Sequence, residues 1–182
     1  MVKWIVFGVL SIGIILISWR TLFDVRSHGF YRFIGWELLL WLIINNINYW
    51  FVNPLSINQI FSWVLLVLSL FMLIAGVILV KNIGKPSDTR DEKNLYSFEK
   101  TSQLIDTGVY KYIRHPLYAS LMYLTWGTFL KNPTLMSLVI TVMASGFFYV
   151  TMIFDEKECI DYFGDKYRQY MKRSKMFIPL IY

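Results

Sequence analysis

The stretch "LYASLMYLTWGTFLKNPTLMSLVITVMASGFFYVTMIF", Leu117–Phe154, holds two apolar runs parted only by Lys131, Asn132 and Pro133. An Asn-Pro step between such runs is a turn signal, and antiparallel helices joined by so short a loop pack side by side. The segment therefore predicts a helical hairpin whose two open ends lie together. Its second run, Thr134–Phe154, meets the length of about 20 mainly apolar residues that a helix needs to cross a hydrocarbon core. The first, Leu117–Leu130, is short. Pro116 suits the first position of a helix, where its missing N–H costs nothing, and Tyr112–Pro116 would supply the missing length as an opening turn.

Outward from the hairpin, three further apolar runs lie at Val2–Trp19, Phe33–Val52 and Ile60–Val80. The chain is 56% hydrophobic and 16% charged, against about 45–50% and about 25% in soluble domains. The first run is longer than the roughly 7–15 apolar residues of a signal peptide, and bulky "SWRTLF" follows it where a cleavage site needs small residues. It reads as a membrane helix. The expected fold is all-α: residues 1–182 form a single polytopic membrane domain with about five transmembrane helices, as the length rule counts them. Three helices occupy 1–80, a loop 81–116, the hairpin 117–154 and a tail 155–182. "KNIGKPSDTRDEKNLYSFEKTSQ", Lys81–Gln103, mixes charges of both signs with Gly84 and Pro86 and reads as loop. In the tail, Glu156, Ile160, Phe163, Tyr167 and Tyr170 recur at helical spacing, interrupted by Gly164. They predict an amphipathic helix at the membrane surface.

Threading five spans places sixteen of the eighteen Lys and Arg residues on one side, leaving Lys3 and Lys131 on the other. By the positive-inside rule the rich side is cytoplasmic. Polar residues inside spans are costly and raise the question of a site. In the second run Glu37, Asn45 and Asn48 fall within about 80° of one another on a helix, with Asn46 pointing away. The asparagines suit interhelical hydrogen bonds. Glu37 is a candidate substrate contact or a group reaching the interface. His28 falls in a connecting loop and reads as solvated; the single Cys159 permits no disulfide within the chain and reads as a small apolar filler.

Two polar groups of residues stand at the open ends of the hairpin: "TGVYKYIRHPLY" before its first helix and "DEKECIDYFGDKYRQY" after its second. The hairpin makes them neighbours, so Arg114, His115 and Tyr118 come close to Asp155 and Glu156. Taken alone, "RHP" also serves as an interfacial anchor, with Arg114 snorkelling to headgroups.

"TGVYKYIRHPLYAS", "GTFLKNP" and "DE…FGDKYRQY…FIP", in that order over about Leu104–Pro179, resemble the C-terminal half of the isoprenylcysteine carboxyl methyltransferase family, integral membrane enzymes that use S-adenosyl-L-methionine. The resemblance implies a cofactor site lined by Tyr110, His115, Pro116, Leu117 and Tyr118 with the acidic pair Asp155 and Glu156. It also implies catalytic roles for Arg114 and Glu156, and substrate contacts from Arg114, with Glu37 added from the second run. The sequence departs from the family in having Asp155 where a first Glu is usual, which makes Glu156 the stronger candidate, and Ala119-Ser120 where a Gly often follows the Tyr.

The residue types suit that chemistry. A sulfonium with an ammonium group attracts carboxylates and aromatic faces, and the cofactor's carboxylate attracts Arg or His. The implied reaction is methyl transfer to a lipid-like or small apolar acceptor bearing a carboxylate, thiol or amine. Expected partners are membrane lipids and that lipophilic acceptor, with no nucleic acid and no metal. No Gly-x-Gly occurs among the ten glycines, which weighs against the phospholipid N-methyltransferases, where such a pair features. "DEKEC…G…Y…IP.IY" is also similar to the end of NADPH-dependent membrane sterol reductases, but Leu117 and Ser120 stand where those enzymes have Asn and Glu.

Overall fold

In the computed structural model, residues 1–25, 27–84 and 101–178 are described. Most of the expected loop, residues 85–100, and Pro179 of the third family block lie outside them. The described residues form helices α1 (Val2–Ser18), α2 (His28–Asn46), α3 (Ile57–Asn82), α4 (Pro116–Phe129), α5 (Leu135–Phe163) and α6 (Asp165–Arg173), with short 3-10 turns at Ile47–Tyr49 and Gly108–Lys111. The main packing pairs are α3 with α4 and α2 with α5; α4 also lies against α5, and α1 against α2.

The hairpin forms as its turn signal predicts. Pro116 opens α4, and Thr134 caps α5 in a reciprocal arrangement with Ser137, each side chain bonding the other's backbone N–H. Lys131 in the turn is buried: its Nζ donates to Gln59 Oε1 at 3.0 Å and lies 3.4 Å from the ring centre of Trp63. Gln59 Nε2 donates in return to the Lys131 carbonyl at 3.2 Å, tying the hairpin to the start of α3. Farther along, Ser62, Ser69 and Gly76 recur every seven residues on α3 and meet α4 closely. The two hydroxyls donate to the Gly127 and Ser120 carbonyls at 2.7 and 2.8 Å. Small and hydroxyl residues at a helix interface let backbones approach where a purely apolar contact gives little preference over lipid.

Two of the five expected spans, α3 and α5, are long and apolar enough to cross a membrane by length and composition; α1 is a shorter apolar helix. In the apolar window of α3 only 22% of residues are buried, so Phe61, Val67, Leu70 and Phe71 point outward. At about 1.5 Å per residue α5 is about 43 Å long, well over a hydrocarbon thickness of about 30 Å. Its charged residues, Asp155 to Glu158 and Asp161, are gathered in the excess. The same rise makes α4 about 21 Å long. The turn expected to lengthen it does not join it, because His115 leaves helical geometry at φ −123°, ψ 60° and Ile113 pairs instead with Lys175 in an isolated bridge.

Three further expectations are corrected. The tail is not one surface helix from Asp155: α5 continues to Phe163, and Gly164 at φ +60°, ψ −134° breaks the chain before α6. After α6 the backbone returns to the hairpin, where Lys175 N donates to the Tyr112 carbonyl and Arg114 N to the Lys175 carbonyl at 2.9 and 2.8 Å. In α2 the helix starts at His28, five residues before the apolar run, and Asn46 rather than Asn45 or Asn48 is buried; its Nδ2 donates to the Thr128 carbonyl at 3.0 Å. His28 is not a solvated loop residue but fully buried, 2.8 Å from Glu158 Oε1.

Candidate active site

At the charged end of α5 a cavity of about 280 Å³ opens between α2, α3, α4, α5, α6 and the segment leading into α4, near the lower end of the roughly 300–1,000 Å³ of small-molecule sites. The structure brings Tyr110, Arg114, His115, Pro116, Leu117, Tyr118 and Asp155 to its wall. Leu73, Val77, Leu104 and Ile105 add apolar surface, and Phe163, Tyr167 and Tyr170 an aromatic side.

The backbone pairing of residues 112–115 with 175–176 fixes the first wall. Arg114 Nη1 donates to the Ser174 carbonyl at 2.5 Å. The Tyr170 hydroxyl donates to the Tyr110 carbonyl at 2.6 Å, holding α6 against the same segment. α5 supplies the opposite wall, where two successive acids take different directions. Asp155 lines the cavity. Glu156 does not; its Oε1 accepts from Arg114 Nε at 2.6 Å and lies 3.3 Å from His115 Nε2. The ring of His115 is completed on its other side by Asp155 Oδ2, 3.2 Å from Nδ1. An imidazole set between two carboxylates satisfies both only when both nitrogens carry a proton. Burial alone lowers the His115 pKa, but the hydrogen bonds and charges of Asp155 and Glu156 outweigh it and hold the pKa above the ordinary 6.5. Burial likewise pushes the Tyr167 and Tyr170 hydroxyls up, so they stay neutral.

Glu37 lies elsewhere: its Oε2 accepts from Ser11 Oγ at 2.7 Å, on the side of α2 that meets α1. Sequence reasoning missed what α2 does contribute, Arg32 and Trp36. Counting the helix from Phe33 left Arg32 outside it, whereas the cap at Ser27 starts the helix in time to turn Arg32 inward. It also took Cys159 for an inert filler, and Cys159 faces the cavity four residues beyond Asp155.

A model of the family described as phospholipid methyltransferase matches residues 64–166, more than half of the chain. The chain belongs to the phospholipid methyltransferase family. The match reaches back beyond the blocks legible in the sequence to take in most of α3, and leaves α1 and α2 outside. The family bears the name of the class from which the absent Gly-x-Gly set the sequence apart, while its individually matched relatives carry S- and O-transfer names. The chain is 34% identical over 71 residues to methanethiol S-methyltransferase 1 of Bradyrhizobium diazoefficiens, 39% of this chain and 24% of that protein. It is 32% identical over 83 residues to protein-S-isoprenylcysteine O-methyltransferase of Schizosaccharomyces pombe, 45% of this chain and 35% of that protein. With methanethiol S-methyltransferase of Mycobacterium tuberculosis it shares 28% over 71 residues, 39% of this chain and 28% of that one. The matched stretch thus spans about a quarter to a third of these family members' lengths. No solved structure matches the chain.

Proposed function

We propose that this family member is an integral, multi-pass membrane methyltransferase that uses S-adenosyl-L-methionine, with five spans and its site facing the cytoplasm. Its acceptor is lipid-like or a small apolar molecule. The observation that carries the reading is the convergence on one cavity of His115, Tyr118 and Asp155, all within the family-matched segment, with apolar and aromatic side chains around them. The outward apolar residues of α3 and the sixteen-to-two distribution of cations favour the membrane and its orientation.

The donor set fits the cofactor. Asp155 and the faces of Tyr167 and Phe163 suit a sulfonium and an ammonium group, while Arg114 and His115 suit a carboxylate. When bound, the cofactor supplies a methyl already activated on sulfur. The protein's share is then to hold the two reactants in line and to keep water out. Glu156 holds Arg114 and His115 in place from behind the cavity wall, which makes it a positioning residue.

Calorimetry of the purified protein in detergent, titrated with S-adenosylhomocysteine and separately with NADPH, tests this. Binding of the first is expected, weakened at least tenfold by His115→Ala, equivalent to about 1.4 kcal/mol, and unaffected by Asn46→Ala. Binding of NADPH without response to S-adenosylhomocysteine would replace the reading with a reductase.

A further inference from the structure

Among the described residues, the wall of the cavity carries three cationic side chains, Arg32, Arg114 and His115, and one carboxylate, Asp155. Glu156 lies behind that wall and engages Arg114 and His115, both of which belong to the family-matched segment. Arg32 differs in origin. It comes from α2, outside the matched segment, and is 2% exposed.

α2 is built to hold that charge in place. His28 and Arg32 are one turn apart on its inner face; His28 pairs with Glu158 on α5 at 2.8 Å, and both His28 and Arg32 act electrostatically on Asp155. The Arg32 guanidinium carbon lies 5.2 Å from the ring centre of Trp36, the next residue along the same face, which also lines the cavity. Between them Gly35 lets α2 sit directly on α5. A Cβ there would fall 2.5 Å from a ring carbon of Phe148. Tyr31 stacks on Phe154 at 5.2 Å on the adjoining face. Burying a guanidinium at this depth is costly, and a helix held so firmly gives it little freedom to withdraw.

Resting on the methyltransferase reading, we infer that Arg32 is the specificity-determining residue for the methyl acceptor, and that it selects a carboxylate or thiolate over an amine. The polar cofactor contacts proposed above, His115, Arg114 and Asp155, all come from the matched segment, so the further cation that α2 adds is assigned to the other reactant. An anionic oxygen or sulfur approaching Arg32 is attracted and desolvated at once. On taking the methyl it becomes a neutral ester or thioether; the electrons of the broken C–S bond stay on the donor's sulfur and no proton moves. That loss of charge releases the product from Arg32. An amine acceptor is repelled as its ammonium form, needs a proton removed before it reacts, and leaves added positive charge beside a guanidinium. The apolar stem of the acceptor lies along Leu73, Val77 and Leu121.

The test uses two probes of equal length and opposite charge, octanoate and octylamine, titrated calorimetrically into the full chain in detergent saturated with S-adenosylhomocysteine, with protein-free micelles as baseline. Octanoate is expected to bind at least tenfold more tightly than octylamine. Arg32→Gln is expected to abolish that preference while changing S-adenosylhomocysteine affinity less than twofold, and Arg32→Lys to keep part of it. Equal binding of the two probes to the unaltered protein, including no binding of either, overturns the inference without need of a variant. So does a loss of S-adenosylhomocysteine affinity in Arg32→Gln with the octanoate preference intact, which would assign Arg32 to the cofactor. Failure of the unaltered protein to bind S-adenosylhomocysteine sinks the methyltransferase reading instead.

Discussion

Glu156→Gln isolates the charge of a side chain that touches no part of the cavity. The substitution keeps the size and one acceptor oxygen but removes the negative charge that Arg114 Nε meets at 2.6 Å and His115 Nε2 at 3.3 Å. The three side chains are 12%, 10% and 3% exposed, so water does little to replace the lost interaction. A hydrogen bond to a charged group contributes about 1.5–3 kcal/mol and a neutral one about 0.5–1.5 kcal/mol, so exchanging one for the other costs about 1–2 kcal/mol. Arg114 keeps its bond to the Ser174 carbonyl and His115 keeps Asp155, so the site loosens rather than collapses. The expected outcome is a lower thermal midpoint and a roughly tenfold weaker S-adenosylhomocysteine affinity, since tenfold corresponds to about 1.4 kcal/mol. Asp155→Asn provides the contrast, because Asp155 faces the cavity and its loss falls on ligand affinity directly. Paired thermal-shift and calorimetric titrations read both. A Glu156→Gln protein with unchanged midpoint and unchanged affinity would refute the assignment of Glu156 as the group that holds Arg114 and His115.

Two further outcomes are expected. The His115 pKa is raised in the folded protein, so its charged contribution is complete below the ordinary value of 6.5 and is lost as pH rises through the higher folded value. The thermal midpoint should therefore fall as pH is raised above 6.5 through the higher folded value, and His115→Gln should flatten that fall; identical slopes in the two proteins would contradict it. Gly164 stands at φ +60°, ψ −134°, a conformation open essentially to glycine alone. Gly164→Ala should cost about 1–3 kcal/mol, seen as a lower midpoint with early release of α6 in hydrogen exchange; an unchanged midpoint would mean the break between α5 and α6 tolerates a side chain.

Much of the site was legible because it sits on local signals. The Asn-Pro turn and Pro116 at a helix start placed the open ends of the hairpin together, and with them His115 and Asp155. What could not be read depended on where a helix begins and on what packs against it. Apolar composition started the second helix at Phe33, whereas a polar cap at Ser27 starts it at His28, and that offset decides whether Arg32 and His28 face water or α5. Asn46 was assigned away from the packed face by helical phase alone, yet it is buried and its Nδ2 donates to the Thr128 carbonyl of α4. The division between Asp155 and Glu156 was likewise hidden. Side-chain reach favoured Glu156 for the ligand, while its longer arm is what allows it to meet Arg114 behind the wall. The extended return at residues 174–176 has no periodicity of its own, because it borrows its partners from residues sixty positions earlier.

That return has a bearing on how the molecule is made. The segment carrying Arg114 and His115 is pinned by backbone bonds to residues 175–176 and by the Arg114 side chain to the Ser174 carbonyl, about sixty residues later in the chain. During synthesis α4 and α5 can pair as soon as both have left the ribosome, but the backbone pairing of Tyr112, Arg114 and His115 with residues 175–176 waits until α6 and the stretch after it arrive. Closing a loop of that length costs entropy that only the finished contacts return. The wall that carries Arg114 and His115 is therefore complete only once residues 175–176 have docked, and a ligand held by both side chains would stabilise only chains in which they have.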